Sequence, residues 1–231
     1  MSSPSLTDAQ LTGRNAEHIQ WLTPSIGIHQ QMLTAWNAMK QAAQHDGIDL
    51  RIASGYRDFD RQCRIWNNKF LGKTAIKNIN NDIIDTKNLA TLDKIKAILL
   101  YSALPSASRH HWGTDIDVYA PNLLGPEQTL QLESWEYQSN GPMHKLTLWL
   151  EKYSNSFGFF LPYDRYRGGV ACEPWHLSYA PLANHYQRQL TPLIIKEALT
   201  TNTVMGYQEI ISHLSMINES FIQNVGNFNH G

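Results

Sequence analysis

The chain has 231 residues, of which 42% are hydrophobic and 17% charged, and its formal net charge is −1. That apolar content supplies a core for one domain with decorations and excludes global disorder. The near-neutral balance, without any block of basic residues, excludes a dedicated nucleic-acid or anionic-membrane binder, and two cysteines exclude a disulfide-rich scaffold or a Cys₄ zinc site.

Residues 1–26 read as a polar N-terminal arm. The opening "MSSPSLTDAQLTGRN" has neither a basic region nor an apolar run, so as written it is not a signal peptide. Nowhere does an uninterrupted apolar stretch approach the ~20 residues of a membrane helix. From Ile28 the apolar positions Ile28, Met32, Trp36, Met39 and Ala43 recur by threes and fours, which predicts an amphipathic helix. "HDG" at 45–47 predicts its stop, with Gly47 suited to a left-handed cap. Ile48, Leu50 and Ile52 then alternate as in a half-buried strand that ends at Gly55.

"DFDRQCRIWNNKFLG" predicts a helix with Asp58 near its start, where a carboxylate favours the helix dipole. The Asn-rich segment 73–90 reads as an insertion or flap, and "LDKIKAILLYSAL" as a short helix. "TDIDVYA" alternates as a strand, while Leu146, Trp149, Leu150 and Tyr153 take helical spacing. "EPWHLSYA" is strand-like with Pro174 at its entrance. Beyond Pro181 two helical patterns close the chain, the second carrying Ile210, Ile211, Leu214 and Ile217. Helices mixed with hairpin-like strands, without βαβ regularity, predict an α+β fold.

The chemistry concentrates in "SRHHWGTDID", Ser108 to Asp117. A catalytic zinc takes three protein ligands from His and carboxylate and keeps one position open. This stretch can supply two of them. Asp115 and Asp117 are two apart and share one face of a strand, and His110 and His111 are adjacent, so the pattern yields one of each without ranking them. His18, His29, His45, His144, His185, His213 and His230 read as solvated or capping histidines. His176 differs, lying beside Trp175 and three residues after Glu173. In a regular strand positions 173 and 176 face opposite sides, so Glu173 can share a site with His176 only if Pro174 breaks the strand before Trp175. Cys63 and Cys172 read as two separate thiols.

Three segments in order, "SGYRDFDRQ" (54–62), "SRHHWGTDID" (108–117) and "EPWH" (173–176), resemble the zinc D-Ala-D-Ala peptidases. These are the VanY-like carboxypeptidases and VanX-like dipeptidases, grouped with hedgehog-type zinc domains. The family pattern S-x-H-x-x-G-x-A-x-D fits Ser108, His110, Gly113 and Asp117, and E-x-W-H fits Glu173, Trp175 and His176. The resemblance implies a small central antiparallel sheet flanked by helices. A peptidase domain is expected over 27–190, with 191–231 a C-terminal helical extension packed on it.

The resemblance also implies one Zn²⁺ on His110, Asp117 and His176, with Glu173 as the base for the zinc-bound water. Arg57 matches the family's substrate-binding and transition-state arginine, a role suited to a planar fork of donors. Gln62 and Ser108 are expected polar contacts to substrate. Asp115 departs from the pattern, which has alanine there; this extra carboxylate is a candidate partner for a ligand histidine or for a cationic substrate group. Trp112, Trp175 and Tyr56 are expected to pack.

The implied activity is zinc-dependent D,D-carboxypeptidase hydrolysis of the terminal D-Ala-D-Ala bond of peptidoglycan stem peptides. The alternatives are a D-Ala-D-Ala dipeptidase, a peptidoglycan endopeptidase and a non-catalytic zinc-bearing binding module; the joint presence of Glu173 and Arg57 favours an enzyme. The expected partner is a stem peptide or muropeptide and no nucleic acid. That substrate points to the periplasmic or cell-wall side, although the chain as written reads as cytoplasmic.

Overall fold

The computed structural model describes residues 5–199 and 203–228. In chain order its elements are α1 (Asp8–Leu11), β1 (Ile19–Thr23), β2 (Ile26–His29), α2 (Leu33–His45), β3 (Arg51–Ser54) and α3 (Phe59–Phe70). Next come β4 (Ile76–Lys77), β5 (Ile83–Ile84), α4 (Thr91–Leu99), β6 (Asp115–Tyr119), α5 (Ser134–Tyr137) and α6 (His144–Tyr153). They are followed by β7 (Phe159–Phe160), β8 (His176–Tyr179), α7 (Ala180–Gln189), α8 (Pro192–Ala198), α9 (Tyr207–Ser212) and α10 (Leu214–Ile217). The central sheet has the order β3-β6-β8-β7 with every pair antiparallel, flanked by helices in the expected α+β arrangement.

β6 fixes where the core and the polar centre lie. Its alternation sends Ile116 and Val118 into one apolar cluster with Leu177 of β8, Trp36 and Met39 of α2, and Leu146 and Leu150 of α6. Asp115 and Asp117 take the opposite face. A second cluster joins Trp66 of α3 and Ile95 of α4 to Tyr186, Ile195, Ile210 and Ile217 of the C-terminal helices, and also includes Leu6 and Leu11. The N-terminal and C-terminal segments are therefore buried against each other and against the α3–α4 pair.

Local chemistry explains the well-read elements. Asp58 is the N-cap of α3 and accepts from the Arg61 N–H at 2.6 Å. Gly47 follows α2 at φ +72, as a left-handed stop requires.

Several expectations are corrected. The helix expected from Ile28 begins at Leu33, because Ile26–His29 is instead a strand paired with β1, Ile19 opposite His29 and Trp21 opposite Gly27. Gly27 lets these strands close, since a Cβ there would meet Ile19 Cγ2 at 2.5 Å. The flap at 73–90 contains the short hairpin β4–β5. The two C-terminal patterns are divided into α7, α8, α9 and α10, with a π-helical turn at Asn218–Ile222.

Two histidines expected at the surface are interior. His18 and His29 are buried, their rings 5.5 Å apart, and His29 Nε2 lies 3.0 Å from the Tyr186 hydroxyl. His29 does cap, since its Nδ1 accepts from the Gln31 N–H. His230 lies outside the described residues.

Burial, with the neighbouring His18 adding to it, pushes His29 from the ordinary 6.5 down to about 4. The folded state thus holds the neutral ring more strongly than the unfolded chain does. Its contribution is complete above the unfolded value and is lost as pH falls from about 6.5 towards 4. Thermal unfolding of wild type and His29→Gln across that window checks this. The wild-type Tm should fall more steeply with acid than the variant's, and parallel curves would contradict it.

Candidate metal centre

Sheet register and one left-handed glycine assemble the polar centre. Asp117 on β6 lies opposite Ser54 of β3 and opposite His176 of β8. His110 sits in a 3₁₀ turn, Arg109–Trp112, that ends at Gly113 with φ +68. A Cβ at Gly113 would meet Ile19 Cδ1 at 2.4 Å and the His29 nitrogen at 2.8 Å, so only glycine lets the chain turn into β6 here.

His110 Nε2 then lies 3.5 Å from Asp117 Oδ2, and His176 Nδ1 lies 3.3 Å from Asp117 Oδ1. One atom from each of the three residues falls within 4.8 Å of the others, and all three side chains are buried. Tetrahedral zinc with bonds near 2.0–2.1 Å separates its ligand atoms by roughly 3.3 Å, so the spacing fits such an ion.

The outer nitrogens are committed elsewhere. His110 Nδ1 lies 3.0 Å from the Gly55 carbonyl oxygen, and His176 Nε2 lies 3.1 Å from Asp115 Oδ1. A neutral imidazole that donates from that side turns the lone pair of its other nitrogen inward. Asp117 Oδ1 is buried and without a hydrogen-bond partner, which is costly unless a cation answers it. Burial alone would raise the Asp117 pKa, yet the two imidazoles hold it below the ordinary carboxylate range. For His176, burial opposes charge, but Asp115, Asp117 and Glu173 outweigh it and raise its pKa well above the ordinary value. The carboxylates that favour a proton on this ring equally favour a metal ion beside it.

Glu173 reaches the same centre. β8 begins only at His176, and residues 173–176 form a turn in which the His176 N–H donates to the Glu173 carbonyl at 3.1 Å. The break expected at Pro174 is therefore present, and Glu173 Oε2 stands 3.4 Å from His176 Nδ1. Arg57 donates from Nη1 to Gln62 Oε1 at 2.8 Å and from Nη2 to Ser54 Oγ at 3.1 Å, while its Nε is buried and unpartnered. A cavity of about 450 Å³ is lined by Arg57, Ser108, His110, Asp117, Glu173 and His176, and extends to the 73–90 segment.

The structure separates the residues that the pattern left paired. His111 packs away from the centre, its Nδ1 2.6 Å from the Arg57 carbonyl oxygen, and burial lowers its pKa to about 3. Asp115 and Gln62, expected as substrate contacts, stand behind the cavity wall. Asp115 is 0% exposed and accepts from Arg109 Nε at 2.6 Å, Thr114 Oγ1 at 2.8 Å and Ser178 Oγ at 3.2 Å. Gln62 is fully buried, with Nε2 donating to the Ala103 carbonyl and Oε1 holding Arg57.

Sequence reasoning missed Arg109, Tyr163 and Lys69. Arg109 sits inside the quoted motif, but its partner Ser178 is 69 residues away. Tyr163 places its ring edge-on to His176, centroids 4.9 Å apart, and no motif marks it. Lys69 faces the cavity from the last turn of α3.

A family model described as VanY, D-alanyl-D-alanine carboxypeptidase, matches residues 25–182. An uncharacterised protein of Haemophilus influenzae is 40% identical over 121 residues, covering 52% of this chain and 92% of that protein. Among solved structures, VanYB in complex with D-alanine-D-alanine aligns with a TM-score of 0.52 at 24% identity, over 79% of this chain and 88% of that one. A glutamate-to-alanine variant of the vancomycin-resistance D,D-pentapeptidase VanY in complex with Zn(II) aligns with a TM-score of 0.51 at 24% identity, over 80% and 92%. At that identity the two structures speak to a shared fold.

Asp115 holds the outer nitrogen of His176, so Asp115→Ala should weaken zinc binding by about 10–100-fold. Competition with a chromophoric chelator measures this, and an unchanged affinity would show that the contact does not support the metal centre.

Proposed function

The chain belongs to the VanY family of D-alanyl-D-alanine carboxypeptidases, and from that premise we propose a zinc-dependent D,D-carboxypeptidase that hydrolyses the terminal D-Ala-D-Ala bond of peptidoglycan stem peptides. One observation carries the reading: Glu173 and three residues spaced as zinc ligands converge on a single cavity wall that also presents Arg57. His110 through Nε2, Asp117 through its carboxylate and His176 through Nδ1 would hold the ion. A zinc ion there supplies Lewis acidity, polarising the scissile carbonyl and lowering the pKa of a water.

The chain's own groups do the rest. Glu173 takes the proton from the attacking water and delivers it to the departing D-alanine amine. Water and peptide thereby become a carboxylic acid and an amine, with no other reactant consumed. Arg57, tethered by Gln62 and Ser54, presents its remaining donors to the substrate carboxylate or to the developing oxyanion. Tethering matters because a fork already held in place loses little freedom when the anion arrives. Ser108, buried on the cavity wall, offers a hydroxyl to the substrate backbone.

A carboxypeptidase is favoured over a dipeptidase because the cavity continues past the metal cluster to Thr74, Lys77, Asn81 and Tyr101. A longer acyl chain has room to lie there. Retention of both Glu173 and Arg57 at the centre supports an enzyme over a binding module.

The test is D-alanine release from an acylated L-Lys-D-Ala-D-Ala peptide. Release should stop with chelator and return with zinc, and no release from zinc-loaded protein would overturn the reading. Glu173→Ala should keep its zinc while release falls by about 10²–10⁴-fold; wild-type turnover in the zinc-loaded variant would remove Glu173 from the mechanism.

A further inference from the structure

The cavity wall carries a lysine that makes no close ion pair among the described residues. Lys77 is paired with Glu133, Nζ to Oε1 at 2.5 Å, and Arg57 is held by Gln62 and Ser54. Lys69 lines the same cavity, and its ammonium makes no hydrogen bond and no ion pair within 4.0 Å among the described residues. Burial lowers its pKa from the ordinary value, against the pull of Glu173 and Glu133. Those carboxylates act on the ammonium without touching it, and an anion arriving in direct contact would offset the cost of its desolvation.

The helix sets where such an anion would lie. Gln62, Trp66 and Lys69 are spaced by four and three along α3 and share one face. Seven residues at 1.5 Å each put Lys69 roughly 10 Å along the axis from the residue that clamps Arg57. An extended peptide advances about 3.3–3.6 Å per residue, so this span is about three residues of substrate.

We propose that Lys69 forms an anion subsite for a second carboxylate of the substrate, two to three residues on the acyl-donor side of the scissile bond, and that the enzyme therefore prefers acidic stem peptides. The inference rests on the carboxypeptidase reading. Two sources offer this chemistry: the side-chain carboxylate of a diaminopimelate residue, and the free carboxylate of a γ-linked D-glutamate.

Four peptides ending in D-Ala-D-Ala separate the sources: a neutral reference with diacetylated L-lysine, the same peptide with diacetylated meso-diaminopimelate, and the reference extended by γ-D-glutamate with its carboxylate either free or amidated. For zinc-loaded wild type, kcat/KM for one acidic peptide should exceed that for its neutral counterpart by about 10-fold, chiefly through KM. Lys69→Met should bring that ratio near one, and Lys69→Arg should restore it. No preference in wild type, or an equal loss on every peptide in Lys69→Met, would overturn the subsite, the latter by assigning Lys69 to the terminal carboxylate. Calorimetric binding of the same peptides to zinc-loaded Glu173→Ala reads the preference without turnover. Acidic preference in binding with no hydrolysis by wild type would count against the carboxypeptidase reading and leave the subsite supported.

Discussion

A buried ion pair ties the centre together. Arg109 Nε donates to Asp115 Oδ1 at 2.6 Å, with the arginine 5% exposed and the aspartate 0%. The same carboxylate reaches His176 and Ser178 of β8, and Arg109 Nη2 donates to Ser178 Oγ at 2.7 Å. Arg109 also hydrogen-bonds Gln187 of α7, whose Nε2 in turn donates to the Ile222 carbonyl at 2.7 Å. One network thus runs from the metal-facing strands to the C-terminal π-helical turn. Burying two charges is costly, and leaving either unpaired costs about 3–5 kcal/mol, so the pair holds its geometry strictly. That geometry sets the orientation of the His176 ring, and with it the direction of Nδ1.

Beside this network lies a layer of neutral aromatic groups. His18 packs edge to face on Tyr56, His29 lies tilted against both His18 and Tyr186, and His18 Nε2 lies 3.2 Å from the His111 carbonyl oxygen. Gly13, at φ +75, approaches His111 so closely that a Cβ would stand 2.3 Å from its Nδ1. Trp112 joins the same packing, as expected, with its indole nitrogen donating to the Leu11 carbonyl at 3.2 Å. The N-terminal segment therefore supports the turn that carries His110, and its burial follows from that role.

Much of this was legible where local chemistry decides. Asp58 announced the start of α3, and the alternation at 115–119 put two aspartates on one face. The demand that Pro174 break the strand followed from counting faces between Glu173 and His176. Choosing between neighbours was beyond the pattern, because the choice between His110 and His111 is made by the Gly55 and Arg57 carbonyls, more than fifty residues upstream. The β1–β2 hairpin was hidden because Ile28 and Met32 satisfy a helical stripe, while Ile26 and Ile28 also satisfy a strand. Arg109, Tyr163 and Lys69 gain their meaning only from the cavity and from partners far along the chain. The two cysteines are free, Cys63 beside Thr203 and Cys172 beside Asp164, as separate thiols would be.

The most direct measurement is zinc-edge anomalous diffraction from crystals of zinc-loaded protein. The account predicts a single strong peak bonded to His110 Nε2, Asp117 and His176 Nδ1, with His176 Nε2 still on Asp115. A peak on His111 or Asp115, or none among these residues, would contradict it.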